Sequence, residues 1–247
     1  MAGEAPHSNR GSGGGRGRAI LRAMSHPAAR PFAVLFDLDG TLLDSIELIL
    51  ASARHAFDGY AGRAPSDAEW LAGVGTPLLA QLRSFASDEG DVAPLVDRYR
   101  AYQLEHHDRL TRCYADVPAT LAELRRRGHP MAVVTSKFGA IARRGLAHTG
   151  LDAYLPVVIG ADDTVRHKPD PEPVRVALAR LGYPPGEAVF VGDSPHDVAA
   201  GRAAGVATVA ACWGPFARAE LEAAGADHFL DCLADLPALL DRLVVAR

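Results

Sequence analysis

Two aspartates, one residue apart, lie just after an apolar run near the start of the sequence. Residues 33–36 have the unbroken apolar character of a strand buried on both faces, and Asp37, Asp39 and Gly40 fall in the turn that follows. Ligands of open α/β sheets bind at the carboxyl ends of the strands. Asp-Gly pairs are also common in ordinary turns, so the stretch alone leaves a simple turn as an alternative. An EF-hand calcium loop does not fit, because its glycine is the sixth residue and Gly40 is the fourth counted from Asp37.

Three later stretches also place reactive side chains after predicted strands. Thr135 and Ser136 follow an apolar run, where a hydroxyl and free backbone N–H groups could hold a phosphate or could cap a helix. Lys168 lies in a loop stiffened by prolines, where a solvated lysine is the ordinary interpretation. Asp193 and Asp197 follow another apolar run, and could equally belong to a turn and a helix N-terminus.

Together the four stretches bring two pairs of carboxylates, a hydroxyl and a lysine to one edge of a predicted parallel sheet. Mg²⁺ in proteins typically takes one or two carboxylates and keeps several waters. A transferred phosphoryl group needs its charge held by a cation, a lysine and N–H groups. A carboxylate nucleophile near a second acid also permits an aspartyl-phosphate intermediate. The combination therefore favours phosphoryl transfer over four unrelated turns.

The order and the amino-acid sequences of these stretches resemble the four motifs of the haloacid dehalogenase (HAD) superfamily of phosphohydrolases. The match runs from Asp37 to about Asp197, and the flanking strand pattern extends it from about Phe32 to the C-terminus. The resemblance implies an α/β fold with a HAD-like Rossmannoid parallel sheet flanked by helices. Dehalogenase members lack an acid at the position of Asp39, so the chain resembles the phosphotransferase members instead.

The resemblance also implies a role for each matching residue. Asp37 would be the nucleophile, and Asp39 would be the general acid and then the general base. Lys168 would neutralise charge between the nucleophile and the phosphate. Thr135, with Ser136 as its neighbour, would bind the phosphoryl oxygens.

A Mg²⁺ site is implied at the same place. Asp37, the backbone carbonyl of Asp39, and Asp193 would hold the ion, and Asp197 would support them. The histidines form no HExxH or other short metal-binding pattern. The carboxylates are therefore the candidate metal ligands.

Strands and helices are predicted to alternate from residue 114 onward, which is typical of a parallel sheet with right-handed crossovers. Helices are predicted at 117–126, 140–149 and 173–181, with a further one starting near Asp197. After the first strand, the remaining strands are predicted at 131–134, 157–159, 188–191, 207–210 and 228–230.

Residues 46–112 break this alternation, because four helical stretches follow one another with almost no strand signal. We expect an α-helical cap there, inserted into a core formed by residues 31–45 and 113–247. The resemblance places such a cap between the first and second motifs, where it would close over the site. The predicted cap helices are 46–57, 67–71, 77–86 and 92–104, and the expected hinges are Ser45–Ile46 and residues 109–113.

Four residues of the predicted cap are candidates for contact with substrate. Gly75 and Thr76 lie in a loop between two of its helices. Arg54 and Arg83 are speculative contacts for an anion, although arginines on helix surfaces are usually only solvated.

The composition is that of an ordinary globular protein. The chain has 247 residues, of which 48% are hydrophobic and 23% charged. A net charge of -4 gives no reason to expect nucleic acid or an anionic membrane as a partner. No apolar run approaches the roughly 18 residues that span a bilayer. The three cysteines are far apart, which argues against a disulfide framework and favours reduced thiols in a cytoplasmic protein.

Residues 1–30 are rich in Gly, Ser, Arg and Ala and lack a periodic apolar face. We therefore predict a disordered tail, with no continuous apolar segment of a secretory signal. Met24 is a candidate for the true start, and an intact mass of the native protein beginning before it would exclude this.

Two branches of the superfamily fit the sequence. Its motif sequences and the size of its predicted cap resemble those of phosphoglycolate phosphatases, which hydrolyse a small acidic phosphomonoester. The stretches 98–100, 106–108 and 167–174 resemble the bacterial PpaX pyrophosphatases. We expect a small phosphorylated metabolite as the substrate, with pyrophosphate as the alternative. A phosphomutase and a non-catalytic phosphate-binding protein on the same fold are further alternatives, and the sequence does not predict the oligomeric state.

Overall fold

The computed structural model describes residues 30–245. Six parallel strands form one sheet, in the spatial order β5-β4-β1-β6-β7-β8. The strands of this sheet are β1 (Ala33–Phe36), β4 (Met131–Val134), β5 (Val157–Ile159), β6 (Ala188–Gly192), β7 (Ala207–Ala211) and β8 (His228–Leu230), and a separate antiparallel pair consists of β2 (Leu43–Asp44) and β3 (Arg112–Cys113).

β1 lies in the middle of the sheet and sets the position of the site. Val34 is in register with Met131 of β4 on one side and with Val189 of β6 on the other. Every residue of these three strands is buried, as unbroken apolar sequences predict for a sheet covered on both faces. Because the strands are parallel, the segments that follow β1, β4 and β6 meet at one edge.

Helices cover both faces of the sheet. Apolar residues of α5, α6 and α10 pack on one face, and those of α7 and α8 pack on the other. The helices that follow β3 along the chain are α5 (Val117–Arg126), α6 (Gly139–His148), α7 (Glu172–Leu181), α8 (Pro195–Ala204), α9 (Arg218–Ala223) and α10 (Leu236–Val245). The predicted α/β fold with a parallel sheet flanked by helices is confirmed.

Four helices lie between β2 and β3, and we call them the helical insertion. Their apolar side chains form a cluster of their own around the buried Trp70. The helices are α1 (Ile46–Phe57), α2 (Asp67–Ala72), α3 (Leu78–Phe85) and α4 (Glu89–His106). The exact bounds 46–112 of a separate cap domain stay a prediction.

Two helix starts differ by more than one residue from the sequence-based expectation. α4 begins at Glu89 rather than at residue 92, because Asp88 caps it by accepting hydrogen bonds from the backbone N–H groups of Gly90 and Asp91. α8 begins before Asp197, because Ser194 is its N-cap. The short β2–β3 pair and the helices α9 and α10 are absent from the sequence-based prediction. Two-residue strands and the six residues of α9 give little periodic signal, whereas the apolar spacing of α10 is a usable signal that the sequence analysis missed.

The predicted disordered tail, apart from Arg30, and the proposed start at Met24 lie outside the described residues. Within residues 30–245, no helix is long and apolar enough to cross a bilayer.

Candidate active site

A cavity of about 300 Å³ lies between the carboxyl edge of the sheet and the helical insertion. Core and insertion residues both contribute to its wall, so the site predicted from separate motifs is brought together in one place. Seven of the predicted site residues line this cavity, namely Asp37, Asp39, Gly75, Thr76, Thr135, Ser136 and Asp193. Of the two remaining ones, Lys168 forms an ion pair with Asp37, and Asp197 forms an ion pair with Lys168.

The turn after β1 is tight and crowded. The backbone N–H of Asp37 donates to the carbonyl of Val191 in β6, which continues the sheet pairing into the turn. Gly40 has a φ of +89°, and a Cβ atom there would lie 2.6 Å from a carboxylate oxygen of Asp193. Only glycine fits this position, because it tolerates the left-handed conformation and the close approach of the carboxylate.

Lys168 is buried and binds two carboxylates at once. Its Nζ lies 2.7 Å from Oδ1 of Asp37 and 2.5 Å from Oδ1 of Asp197, and it also donates to the carbonyl of Val134 at 3.3 Å. Burial alone would lower the pKa of Lys168, but the charges of Asp197 and Asp37 outweigh it and raise that pKa above its usual value. The lysine is therefore held fully charged against Asp37. The Lys168–Pro169 peptide bond is cis.

Asp197 also completes the N-terminus of α8. Its backbone N–H donates to Oγ of Ser194, and its Oδ2 accepts from the backbone N–H and the hydroxyl of Ser194, the latter at 2.5 Å. This is a capping box, in which two side chains satisfy each other's free N–H groups. The same carboxylate thus caps a helix through Oδ2 and orients Lys168 through Oδ1.

Three buried carboxylates lie close together here, and two of them, Asp37 and Asp197, bind the ammonium group of Lys168. Oxygens of Asp37, Asp193 and Asp197 all lie within 4.8 Å of one another. Burial raises the pKa of Asp37 to about 7, although Lys168 opposes the shift. Burial, followed by the negative charges of Asp37 and Asp197, raises the pKa of Asp193 well above its usual value. Ionisation of all the carboxylates together is therefore disfavoured without a further cation, and their hard oxygen donors suit Mg²⁺.

Asp39 belongs to a different set of contacts. Its Oδ1 accepts a short hydrogen bond from the hydroxyl of Ser45, and Nζ of Lys137 lies 2.6 Å from the same oxygen. Asp39 is thus separated from the Lys168 cluster and faces the cavity with its own cation. Lys137 was missed by the sequence analysis, and the one available signal was its place directly after Thr135 and Ser136.

The insertion touches the core through the loop that contains Gly75. Ser136 donates a short hydrogen bond to the carbonyl of Gly75. Gly75 has a φ of +98°, and a Cβ atom there would lie 3.1 Å from Oγ of Ser194. Thr76 turns back on its own loop, since its hydroxyl donates to the carbonyl of Gly73 at 2.7 Å.

The two arginines suggested as anion contacts lie elsewhere. Arg54 is on the surface and binds Asp67 at 2.6 Å, and Arg83 binds Glu89 at 2.6 Å. Neither lines the cavity. Their long side chains reach local carboxylates on the same surface, which is the usual arrangement for exposed arginines. The arginine that does line the cavity is Arg100.

Comparison with known proteins places this architecture in a family. A family model described as haloacid dehalogenase-like hydrolase matches residues 34–211. The chain belongs to this family. The match includes all the residues of the carboxylate cluster, together with Lys168 and Thr135, so the resemblance expected from the four motifs is confirmed.

The proteins similar to this haloacid dehalogenase-like hydrolase include some named pyrophosphatases and some described as phosphoglycolate phosphatases. Pyrophosphatase PpaX from Bacillus velezensis is 40% identical over 207 residues, which cover 84% of this chain and 95% of the relative. Pyrophosphatase PpaX from Bacillus cereus is 38% identical over the same shares of the two chains. A crystal structure described as a predicted phosphoglycolate phosphatase from Haemophilus somnus has a TM-score of 0.77 and 25% identity, covering 85% of this chain and 97% of that one.

Proposed function

We propose that this hydrolase is a Mg²⁺-dependent phosphatase that works through an aspartyl-phosphate on Asp37. The observation that carries the proposal is the position of Asp37, which lines the cavity while its Oδ1 is held by Lys168 at 2.7 Å. A buried carboxylate fixed in this way is oriented for attack on a bound phosphoryl group. The adjacent Asp39 points into the same cavity without sharing the lysine.

The proposed reaction has two steps with balanced proton transfers. A carboxylate oxygen of Asp37 bonds to phosphorus while the bond from phosphorus to the leaving oxygen breaks, and Asp39 donates a proton to that oxygen. Asp39 then takes a proton from water, whose oxygen attacks phosphorus and releases Asp37 and inorganic phosphate. Thr135 and the backbone N–H groups beside it bind the phosphoryl oxygens, with Ser136 as a neighbour.

The cation fits the carboxylate cluster described above. Asp37, the backbone carbonyl of Asp39, and Asp193 would hold Mg²⁺, and Asp197 would support them from behind Lys168. Mg²⁺ in this position supplies charge that stabilises the transferred phosphoryl group. The three oxygens of the protein leave coordination positions for water and substrate, as Mg²⁺ sites usually do.

The proposed substrate is a small phosphate compound, either a phosphomonoester such as 2-phosphoglycolate or pyrophosphate. A cavity of about 300 Å³ is at the lower end of the range for ligand sites and suits molecules of this size. The relatives at 38–40% identity are named pyrophosphatases, and this supports pyrophosphate as the alternative substrate. The helical insertion would act as the cap that closes over the substrate and excludes water.

The test is a Mg²⁺-dependent assay of the purified chain with pyrophosphate, 2-phosphoglycolate, sugar phosphates, nucleotides and p-nitrophenyl phosphate. We expect phosphate release that chelation of the metal abolishes. Asp37→Asn should give no phosphoenzyme and no turnover. Asp39→Asn should still be phosphorylated by p-nitrophenyl phosphate, whose leaving group needs no proton, but should turn over poorly.

Normal turnover by Asp37→Asn would refute the assignment of the nucleophile. Absence of activity with every phosphate compound, in a folded protein that still binds phosphate, would favour a non-catalytic phosphate-binding protein on the same fold.

A further inference from the structure

Helix α4 presents two buried polar side chains to the cavity. Tyr99 and Gln103 lie four residues apart, which places them on the same side of the helix, and both line the cavity. They are only 4% and 6% exposed. Within residues 30–245, neither the Tyr99 hydroxyl nor the Gln103 amide has a hydrogen-bond partner. Neither side chain is among the fully buried polar atoms of residues 30–245 that lack a partner, so their polar atoms open onto the cavity and are free to bind a ligand there.

A nearby glutamine shows that polar side chains of the cavity wall do not in general lack hydrogen-bond partners. The amide of Gln81 also lines the cavity, but it donates to the backbone carbonyl of Trp70. The hydroxyl of Thr76 likewise donates to a backbone carbonyl. Tyr99 and Gln103 therefore differ from Gln81 and Thr76, because their side-chain polar groups form no hydrogen bond within residues 30–245.

Arg100, an exposed residue of the same helix, also lines the cavity and adds a positive charge to its wall. Its guanidinium carbon lies 4.8 Å from the ring centre of Phe138, a residue that follows β4 in the core. No carboxylate among residues 30–245 is within ion-pair distance of Arg100. Four other arginines of the insertion have partners: Arg54 binds Asp67 and Glu47, Arg63 binds Glu69, Arg83 binds Glu89, and Arg98 binds the backbone carbonyls of His55 and Asp58.

The chemistry of the three side chains is complementary to an anion. A guanidinium group presents paired N–H donors that match the geometry of a carboxylate or a phosphate. Burial, with the charge of Asp39 added to it, raises the pKa of Tyr99 above its usual value, so the hydroxyl stays protonated and can donate. The Gln103 amide supplies two further N–H donors.

We propose that Tyr99, Arg100 and Gln103 bind the leaving group, and that this group carries a second anionic centre, a carboxylate or a phosphate, paired with Arg100. The proposal rests on the proposed function, because it assigns the transferred phosphoryl group to the Asp37 end of the cavity. It extends that function, because it predicts that phosphate compounds with neutral leaving groups are poor substrates. It also assigns substrate selection to residues of α4 that lie outside the four motifs of the core.

The test uses a matched pair of substrates. In 2-phosphoglycolate the leaving group ends in a carboxylate, and in 2-hydroxyethyl phosphate a neutral hydroxymethyl group takes its place. We expect Arg100→Gln to lower kcat/KM for 2-phosphoglycolate or pyrophosphate by about 10-fold to 100-fold, the range for loss of a charge-assisted hydrogen bond. The same variant should change kcat/KM for 2-hydroxyethyl phosphate by less than about 3-fold. Comparison of 2-phosphoglycolate with pyrophosphate shows whether the second anion is a carboxylate or a phosphate.

Two further variants act as controls. Arg63→Gln removes the same charge from the insertion surface, away from the cavity, and should leave all activities unchanged. Arg100→Lys should recover part of the loss, because lysine keeps the charge but not the paired geometry. Tyr99→Phe and Gln103→Leu should each raise KM for the doubly anionic substrates more than they lower kcat.

The outcomes separate this inference from the proposed function. If the wild-type protein hydrolyses none of the compounds, the proposed function fails. If it is active but Arg100→Gln affects the matched substrates equally, or affects neither, the inference is overturned while the proposed function stands. A preference of the wild-type enzyme for aryl or alkyl phosphates over both doubly anionic substrates would also overturn it, and would assign the leaving group to the apolar part of the cavity wall.

Discussion

Nζ of Lys137 lies 2.6 Å from Oδ1 of Asp39, and the hydroxyl of Ser45 donates to the same oxygen. The two partners come from different parts of the chain, since Lys137 follows β4 and Ser45 is the N-cap of α1. Both contacts are largely removed from solvent. The Asp39 carboxylate is therefore fixed from two sides at the point where the core meets the helical insertion.

Replacement of Lys137 by methionine should impair proton donation to the leaving group. Without the ammonium group the Asp39 carboxyl is less well oriented. We expect kcat for an alkyl phosphate to fall by about 10-fold to 100-fold, less than the full contribution of general acid–base catalysis, because Asp39 itself is retained. With p-nitrophenyl phosphate, whose leaving group needs no proton, kcat should fall much less. Steady-state kinetics with both esters provides the measurement. Equal losses would mean that Lys137 binds the phosphoryl group instead.

The sequence predicted the carboxyl edge of the sheet correctly because its signals are local. Asp37 and Asp193 each lie next to an apolar run long enough to identify a buried strand, and parallel pairing then brings them together. The same reasoning located Lys168 near them, although its simultaneous contact with Asp37 and Asp197 required the folded structure.

The cavity wall formed by the insertion could not be predicted in the same way. Arg54, Arg83 and Arg100 all lie on helices, and helical periodicity does not distinguish the one that faces the cavity, although Arg100 lies in the stretch 98–100 that resembles PpaX. The orientation of Arg100 depends on how α4 packs over Phe138, a residue 38 positions away along the chain. Such long-range packing determines the wall of the site, whereas local pattern determines the edge of the sheet.

Removal of the Thr41 hydroxyl should weaken metal binding. Thr41 is fully buried, and its Oγ1 donates to Oδ1 of Asp193 at 2.6 Å. Partners that orient metal ligands typically contribute 10-fold to 100-fold in affinity, so Thr41→Val should raise the Mg²⁺ concentration for half-maximal activity by about 10-fold. Activity at saturating Mg²⁺ should recover most of the wild-type value.

Thr208→Val is the matched control for that experiment. It removes a buried hydroxyl that donates to a carboxylate of Asp227 at 2.8 Å, away from the cavity. This variant should lose stability without a change in Mg²⁺ dependence. An unchanged Mg²⁺ titration in Thr41→Val would show that the hydroxyl does not orient Asp193 as a ligand.

Gly75→Ala should disturb the contact between the insertion loop and the core. The added methyl group would lie 3.1 Å from Oγ of Ser194 and 3.2 Å from Cδ2 of His196, at a φ of +98° that side chains disfavour. We expect about 1 kcal/mol of lost stability and about 10-fold lower kcat/KM. Urea unfolding and steady-state kinetics measure the two effects.

Gly59→Ala separates backbone strain from the loss of that contact. Gly59 has a φ of +67°, but an added Cβ atom would have nothing within 4 Å. It should show a similar loss of stability with unchanged kcat/KM. If Gly59→Ala lowers activity as much as Gly75→Ala does, the effect on catalysis comes from general destabilisation.

His129 should make the protein less stable in acid. It is buried before β4, and its Nδ1–H donates to the carbonyl of Phe32 at 2.9 Å. Burial is the main cause that lowers the pKa of His129. The hydrogen bond to the Phe32 carbonyl and the charge of Asp241 oppose this shift, whereas the charge of Arg127 adds to it. The folded state therefore prefers the neutral imidazole. This contribution to stability is complete above the unfolded pKa of about 6.5 and is lost as the pH falls through the lower folded value.

A variant without a titrating side chain at position 129 tests whether this histidine lowers stability in acid. His129→Asn keeps a donor near the position of Nδ1, so its free energy of unfolding should fall less than that of the wild type between pH 8 and pH 5. His55→Asn changes an exposed histidine of the insertion and should retain the wild-type pH dependence. Part of the acid sensitivity should persist in His129→Asn, because burial also lowers the pKa of His107. Urea unfolding at several pH values gives the measurement, and a pH dependence of His129→Asn as steep as that of the wild type would contradict the assignment.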